Sequence, residues 1–531
     1  MGGPVFALTS PPTDLYPAVW LGLALLAASI SDAPSGWRAF GRGAAWGTSA
    51  GIVGLRFVPT VIQRFTPLGS AASYLALVLL AAAQSLIWAI GSAAAHQLRR
   101  RARVPFEIAF AGGVYVAVLL PTVFLWTPAG LVSRWSSLVQ LADFIGERGV
   151  TAIFAVAAAL TARTGLGLAG LEPGDSLAGL RPAAPAVRWA RRTWLPVALA
   201  LALFGFLAAY GKLRIAAIER ATEGLPRARI GLIDQSVGPH ERWEQKNVPS
   251  ILRKLKDLTV DAERRGAELV VWPEAAYPYA LEHGATKAPK GERSPLGHGV
   301  HGPLLVGLIT REQPVTVDGH TETNSKNSAT IVARDGALQP TYDKMQLLWF
   351  GEMVPGGAYL PWLRRMFQRS GGLIPGAEPV ALTLERTDGP ALRMAVLNCY
   401  EDTLPGVGRQ HARALSPNLL VNVTNDAWFF GTAEPELHAR LATMRAVELR
   451  RDLVRAVNMG VTSWVDAAGV VRARDDTDGP GVVLVEPTLR DDAPTLYTRF
   501  GEWPVALLFV ALAAAHAWRA RRQPIPSSGR A

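Results

Sequence analysis

Runs of apolar residues long enough to cross a lipid bilayer crowd the first 214 positions of this 531-residue chain, and one more follows residue 502. Such runs cannot all be packed inside a water-soluble domain of this size. They are therefore read as membrane spans at about residues 15–30, 44–62, 71–95, 105–124, 150–160 with its flanks, 194–210 and 503–518. The run at 150–160 spans a bilayer only when its flanks are included. Overall 49% of residues are hydrophobic and 18% are charged, but the excess is uneven, and positions 215–498 have ordinary soluble composition. Three parts follow: a helical bundle of about six spans (1–214), a soluble domain (215–498), and a last span with a basic tail (499–531).

A formal charge of +11 would suit a nucleic-acid binder, yet many arginines stand in short clusters beside the apolar runs. Arg38 and Arg42, then Arg99, Arg100, Arg101 and Arg103, then Arg181, Arg188, Arg191 and Arg192, and finally Arg519, Arg521 and Arg522 fall on one side of the membrane by alternation. Arg64, Arg134 and Arg148 fall on the other and are outnumbered. The arginine-rich side is expected to be cytoplasmic, which puts the soluble domain outside the cytoplasm. The first run has no basic stretch before it, so it reads as a span and not a cleaved leader. Glu107 and Arg56 are two ionisable residues inside the spans; they are expected at different depths and so not paired with each other. Residues 166–187, rich in Gly, Pro and Ala, read as a linker. Gly165, Gly167 and Gly170 match a dinucleotide fingerprint by letter but follow a span instead of a strand.

Within the soluble domain, strand-like runs at 230–237, 269–272, 304–309, 329–333, 394–397 and 419–423 alternate with helical patterns at 242–265 and 435–451, an α/β arrangement. Three stretches carry chemistry. The run ending Asn398-Cys399-Tyr400-Glu401-Asp402 delivers the single cysteine of the chain to a strand end. Cys399 cannot form an internal disulfide; it is either a small buried hydrophobe or a nucleophile. The run ending Trp272-Pro273-Glu274 delivers a carboxylate, and Tyr342-Asp343-Lys344 leads a lysine into Trp349-Phe350-Gly351-Glu352. A thiol that attacks a carbonyl needs a base, and the resulting oxyanion needs a cation or N–H donors. Glu274, Lys344 and Cys399 supply those parts. One cysteine and nine scattered histidines argue against a zinc site, and no cofactor is expected.

On these motifs, together with Asn425-Asp426-Ala427-Trp428-Phe429, the chain resembles the nitrilase superfamily, which uses a Glu-Lys-Cys triad in this order. More narrowly, it resembles the membrane-embedded apolipoprotein N-acyltransferase family. The resemblance implies a four-layer α-β-β-α sandwich carried on a membrane helical bundle. It implies an acyltransferase of the bacterial inner membrane, with the catalytic domain on the periplasmic side, acting as a monomer without nucleic acid. The acyl donor is expected to be a phospholipid and the acceptor the α-amine of a diacylglyceryl-modified apolipoprotein, with a thioester on Cys399 between two half-reactions. By motif, Trp243, Glu352, Tyr400 and Glu401 are supporting residues. Glu352 is expected to orient Lys344 or the triad carboxylate, and Glu401 to hold the Lys344 ammonium or the loop around Cys399; an ion pair between Glu401 and an arginine of the 445–448 segment is the alternative. Trp349, Phe350, Met353, Trp428 and Phe429 are candidate acyl-contacting residues or ordinary core. The chain shows six spans before the soluble domain where the resembled family has seven, an expectation of one helix fewer or of a start further upstream. Three positions depart from the family pattern, namely Trp349, Asn398 and Phe430, and none removes a catalytic group. The competing reading is a membrane-anchored nitrilase or amidase that hydrolyses small amides with the same three residues.

Overall fold

The computed structural model describes residues 2–173, 180–182, 186–317, 320–322, 324–349, 351–354 and 372–522. The chain divides into two compact units, Met1–Arg214 with Phe500–Ala531, and Ile215–Arg499.

The first unit is helical. Among the described residues, helices at Ser70–Ala102, Ala142–Leu168, Thr193–Thr222 and Trp503–Arg522 are long and apolar enough to cross a membrane, while the apolar helices Ala18–Ser31 and Phe106–Leu119 are shorter. Two expected spans are corrected. The run at 44–62 is broken: one helix, Gly36–Gly54, closes at Leu55, and a second, Val58–Phe65, restarts with a proline in its first turn, where a missing N–H is harmless. The run at 105–124 stops at Leu119, because Leu120 precedes Pro121 and takes extended backbone.

Small residues let these helices approach closely. A Cβ placed on Gly43, Gly47 or Gly51, each four apart, would lie within 3 Å of atoms of Ser92 or Trp88, Ser85 and Ala81 on the helix Ser70–Ala102. An adjoining face of that helix meets Phe106–Leu119 through glycine on glycine: a Cβ on Gly113 would lie 2.4 Å from the Gly91 carbonyl oxygen. In lipid, where no hydrophobic force drives helices together, such backbone approach supplies the packing energy.

The ends of this unit differ. At one, Arg99 donates to the Ser31 carbonyl at 2.6 Å, Arg100 to that of Pro34 at 2.8 Å, Arg42 pairs with Asp32, and Arg163 pairs with Glu107 at 2.6 Å. Glu107 is therefore matched by Arg163, while Arg56 donates to the Pro11 carbonyl. At the other end Arg214 pairs with Asp143 at 3.0 Å, and Glu502 receives Arg148 and the Tyr115 hydroxyl. The chain thus leaves and re-enters the helical unit at the end away from the arginine clusters. Gly165 and Gly167 lie inside the helix Ala142–Leu168, which removes any dinucleotide turn there. The linker holds an antiparallel pair, Leu171–Pro173 with Leu180–Pro182; residues 174–179 and 183–185 of it lie outside the described residues.

The second unit is built from two sheets. The first runs in the order Tyr342–Asp343, Ser325–Val332, Leu304–Arg311, Leu269–Val271, Ile230–Asp234, Gly481–Val485. The second runs Leu382–Leu384, Leu392–Asn398, Leu419–Asn425, Leu453–Asn458, Thr462–Val465, Val471–Asp475. The central strands of each are parallel. Side chains alternate in and out along each strand. Ile230, Leu232, Val271 and Leu305 of one sheet meet Met394, Val396, Val421 and Val454 of the other in a fully buried core. The outward set of the first sheet, with Val270 and Val306, packs under the helix Val248–Arg264 through Ile251 and Leu255. The outward set of the second, with Ala395 and Leu420, packs under Pro405–Leu415 and Glu434–Leu449. The result is an α-β-β-α sandwich. The helix expected from residue 242 begins at Val248, ahead of Pro249 in its first turn, so Trp243 sits in the short turn Glu241–Trp243 instead.

Candidate active site

Parallel strands collect their C-terminal ends on one edge, where the backbone must leave the sheet and side chains can converge. The strand Leu269–Val271 runs through Trp272 and Pro273 to Glu274, and Leu392–Asn398 runs directly into Cys399. Lys344 arrives from the first sheet's edge strand, Tyr342–Asp343, and is 1% exposed.

Lys344 Nζ lies 3.2 Å from Glu274 Oε1 and 2.8 Å from Glu352 Oε2. Asn327 Nδ2 donates to Glu274 Oε1 at 2.6 Å and to Glu352 Oε1 at 2.8 Å, so one cation and one amide bridge both carboxylates. Glu274 Oε2 accepts the backbone N–H of Asn425 at 2.9 Å, and Glu352 Oε2 accepts that of Leu348 at 2.8 Å. Asn327 in turn accepts from Asn398 Nδ2, beside the cysteine, at 3.0 Å. Burial works against the Lys344 charge, but Cys399, Glu274 and Glu352 outweigh it and hold its pKa well above the usual lysine range. Burial, and then the Glu274 carboxylate, push the Cys399 thiol well above its ordinary pKa, with Lys344 opposing. The resting sulfur is thus a thiol beside a base and a permanent cation.

Cys399 has φ of 55°, a left-handed backbone that a β-substituted residue adopts only when its surroundings enforce it. Glu401 enforces it. Its Oε2 accepts the N–H of Asn398 at 2.8 Å and the Tyr342 hydroxyl at 2.7 Å; its Oε1 accepts the N–H groups of Met345 and Gln346 at 2.8 and 2.9 Å. Of the expected alternatives for Glu401, neither the Lys344 ammonium nor, among the described residues, an arginine is its hydrogen-bond partner; it ties the loop after Lys344 to the cysteine turn. Burial raises its pKa to about 6, with those donors opposing. Tyr400 donates to the Leu347 carbonyl at 3.1 Å and its ring lies 5.5 Å from Lys344 Nζ.

The aromatic candidates are arranged less tightly. Trp428 and Phe429 lie on the turn Asp426–Phe429 and are partly buried. Trp349 is 45% exposed, bridged along the backbone to Met353. Phe350 and the Trp243 side chain lie outside the described residues.

Sequence reasoning missed Asn327, because the expected strand began at Ala329 and left the polar lead Lys326-Asn327-Ser328 outside it. It also missed Glu434, His438 and Arg455, which join Asp402 and Asp426 of the quoted motifs in a buried charged layer behind the site. Asp426, Glu434 and His438 offer potential metal-donor atoms within 4.8 Å of one another, but both His438 nitrogens already face carboxylates.

Residues 237–491 match the carbon-nitrogen hydrolase family model, and residues 2–160 match that of the apolipoprotein N-acyltransferase N-terminal domain. A protein of Geobacter metallireducens named apolipoprotein N-acyltransferase is 28% identical over 94% of this chain and 91% of its own. One of the same name from Bradyrhizobium diazoefficiens is 30% identical over 82% of this chain and 77% of its own. Among solved structures, an amidase from Nesterenkonia sp. AN1 aligns over 53% of this chain and 99% of that one, with 20% identity and a TM-score of 0.34.

Proposed function

Because the chain belongs to the apolipoprotein N-acyltransferase family, we propose that Glu274, Lys344 and Cys399 carry a two-step acyl transfer. The enzyme is a membrane acyltransferase that moves a fatty acyl chain from a phospholipid to the α-amine of a diacylglyceryl-modified N-terminal cysteine. The observation that carries the assignment of residues is the placement of Lys344 Nζ 3.2 Å from Glu274 and 2.8 Å from Glu352, with the Cys399 thiol under the electrostatic influence of all three.

Glu274 takes the thiol proton as the Cys399 sulfur attacks the ester carbonyl carbon. The oxyanion forms against Lys344 and the Tyr400 backbone N–H. The ester C–O bond then breaks, and Glu274 returns the proton to the departing lysophospholipid oxygen. A thioester remains on Cys399. In the second half-reaction the acceptor amine attacks that thioester, Glu274 takes the amine proton, the C–S bond breaks, and the proton passes to the sulfur. Trp349, Phe350, Met353, Trp428 and Phe429 serve as acyl-contacting residues that keep water, the competing nucleophile, from the thioester.

The match of residues 2–160 to the acyltransferase N-terminal domain favours this reading over hydrolysis of small amides. The arginine-rich end of the helical unit supports a cytoplasmic face there, in the bacterial inner membrane, with the sandwich unit periplasmic because the chain leaves the bundle at the opposite end. Incubation of the purified enzyme with acyl-labelled phospholipid tests the proposal. A hydroxylamine-sensitive label on wild type that is absent from Cys399→Ala is expected; equal labelling of both proteins refutes the nucleophile.

A further inference from the structure

His438 stands at the centre of the buried charged layer, on the helix Glu434–Leu449, 4% exposed. Its Nε2 lies 2.9 Å from Asp402 Oδ1 and its Nδ1 lies 3.2 Å from Asp426 Oδ1. A ring that donates to a carboxylate at each nitrogen is an imidazolium, since the neutral form must turn a lone pair towards one of them. The two carboxylates belong to different parts of the site. Asp402 lies in the turn Cys399–Thr403 that carries the sulfur. Asp426 opens the next turn, directly after Asn425, whose N–H holds Glu274.

We propose that His438 is a positioning residue: as a cation it clamps the nucleophile turn to the turn that anchors the general base, and so fixes the sulfur-to-carboxylate geometry without touching substrate. The proposal rests on the assignment of Cys399 and Glu274 made above. The groups facing the ring are Asp402 and Asp426, with Glu434 on its own helix and Arg455 on the strand Leu453–Asn458, 3.3 Å from Asp402 Oδ2. Burial opposes the imidazolium and Arg455 repels it, but Asp402 and Asp426 prevail and raise its pKa to about 10. Burial, and then Asp426, push the Glu434 carboxyl up to about 8. Room for this arrangement is built in: a Cβ on Gly460 would lie 2.6 Å from Asp426 Oδ2.

The test follows thioester formation on the full-length enzyme in detergent with acyl-labelled phospholipid. His438→Gln donates to one carboxylate only and carries no charge. It is expected to slow thioester formation about 100-fold at saturating phospholipid, the scale of loss for a small misplacement of reacting groups, with the half-saturating concentration unchanged. Asp426→Asn keeps an oxygen acceptor for Nδ1 but removes one stabilising charge. Its rate at pH 7 is expected within about tenfold of wild type, as for loss of one charge-assisted contact, and as pH rises towards 9 its rate should decline relative to that of wild type, because the imidazolium loses its proton at lower pH without Asp426. A His438→Gln rate within twofold of wild type overturns the clamp. So does an Asp426→Asn profile parallel to wild type, which keeps the test decisive if His438→Gln does not fold. Cys399→Ala is run alongside: label persisting there overturns the nucleophile assignment and the clamp with it, whereas full rate in His438→Gln with no label in Cys399→Ala overturns the clamp alone.

Discussion

The amide nitrogen of Asn327 lies 2.6 Å from the carboxylate of Glu274, and the same nitrogen lies 2.8 Å from Glu352. One neutral donor therefore serves a buried acid, Glu274, and a partly buried one, Glu352, that also share the Lys344 cation.

Replacing that donor removes two charge-assisted bonds at once. Asn327→Leu is expected to reduce thioester formation at least tenfold and to lower stability by about 3–6 kcal/mol, since hydrogen bonds to charged groups are worth about 1.5–3 kcal/mol each. Rapid-quench labelling and thermal unfolding check the two effects separately. Asn327→Asp adds a third carboxylate and is expected to be worse on both counts.

Lys344 is 1% exposed between two acids, so its loss strands both. Lys344→Met is expected to cut acyl transfer by about 10²–10³, the scale for removal of an oxyanion donor, and to destabilise the sandwich by about 3–5 kcal/mol, as breaking a buried pair does. Lys344→Arg is not expected to rescue activity, because a planar fork does not replace a point charge held between two close oxygens. Turnover and unfolding midpoints of the three proteins decide.

Glu401 introduces a pH dependence of known sign. Its folded pKa, raised to about 6, exceeds the ordinary carboxylate value, so the folded chain keeps a proton that the unfolded chain has lost between about pH 4.5 and 6. The stability it contributes is full below pH 4.5 and declines as pH rises through 6, by about 2 kcal/mol. Glu401→Gln cannot titrate. Its unfolding midpoint should fall less than that of wild type between pH 4.5 and pH 7, and equal slopes would contradict the assignment.

The contact between Gly91 and Gly113 makes the helical unit sensitive to a single methyl-bearing side chain. A Cβ at either position would lie within 2.5 Å of the other's carbonyl oxygen. Gly113→Val is expected to force the helices Ser70–Ala102 and Phe106–Leu119 apart, giving aggregated protein in detergent size-exclusion chromatography. A monodisperse peak of wild-type yield would show that the packing adjusts.

Much of the sandwich was legible because strand periodicity and strand ends are local properties. The apolar runs before Glu274 and Cys399 announce buried parallel strands, and the polar residues that stop them mark the sheet edge. Bundle boundaries were less legible. Hydropathy carries residues 44–62 straight through the break at Leu55, since a helix restart changes backbone direction without changing polarity. Asn327 and His438 were hidden for another reason. Each is a polar residue whose meaning lies in partners 53 and 36 positions away, and only the folded topology brings those together.

Glu502 opens the last helix while bonded to Arg148 and Tyr115, which belong to helices made hundreds of residues earlier. The sandwich unit is therefore an insertion between the body of the bundle and its closing strut. During synthesis Arg148 must wait, without this partner, until the entire inserted unit has left the ribosome. Completion of the bundle thus reports that the inserted unit has been made in full, and a nascent chain halted after Arg499 should be recognisably incomplete to proteases in a way that one halted after Arg522 is not.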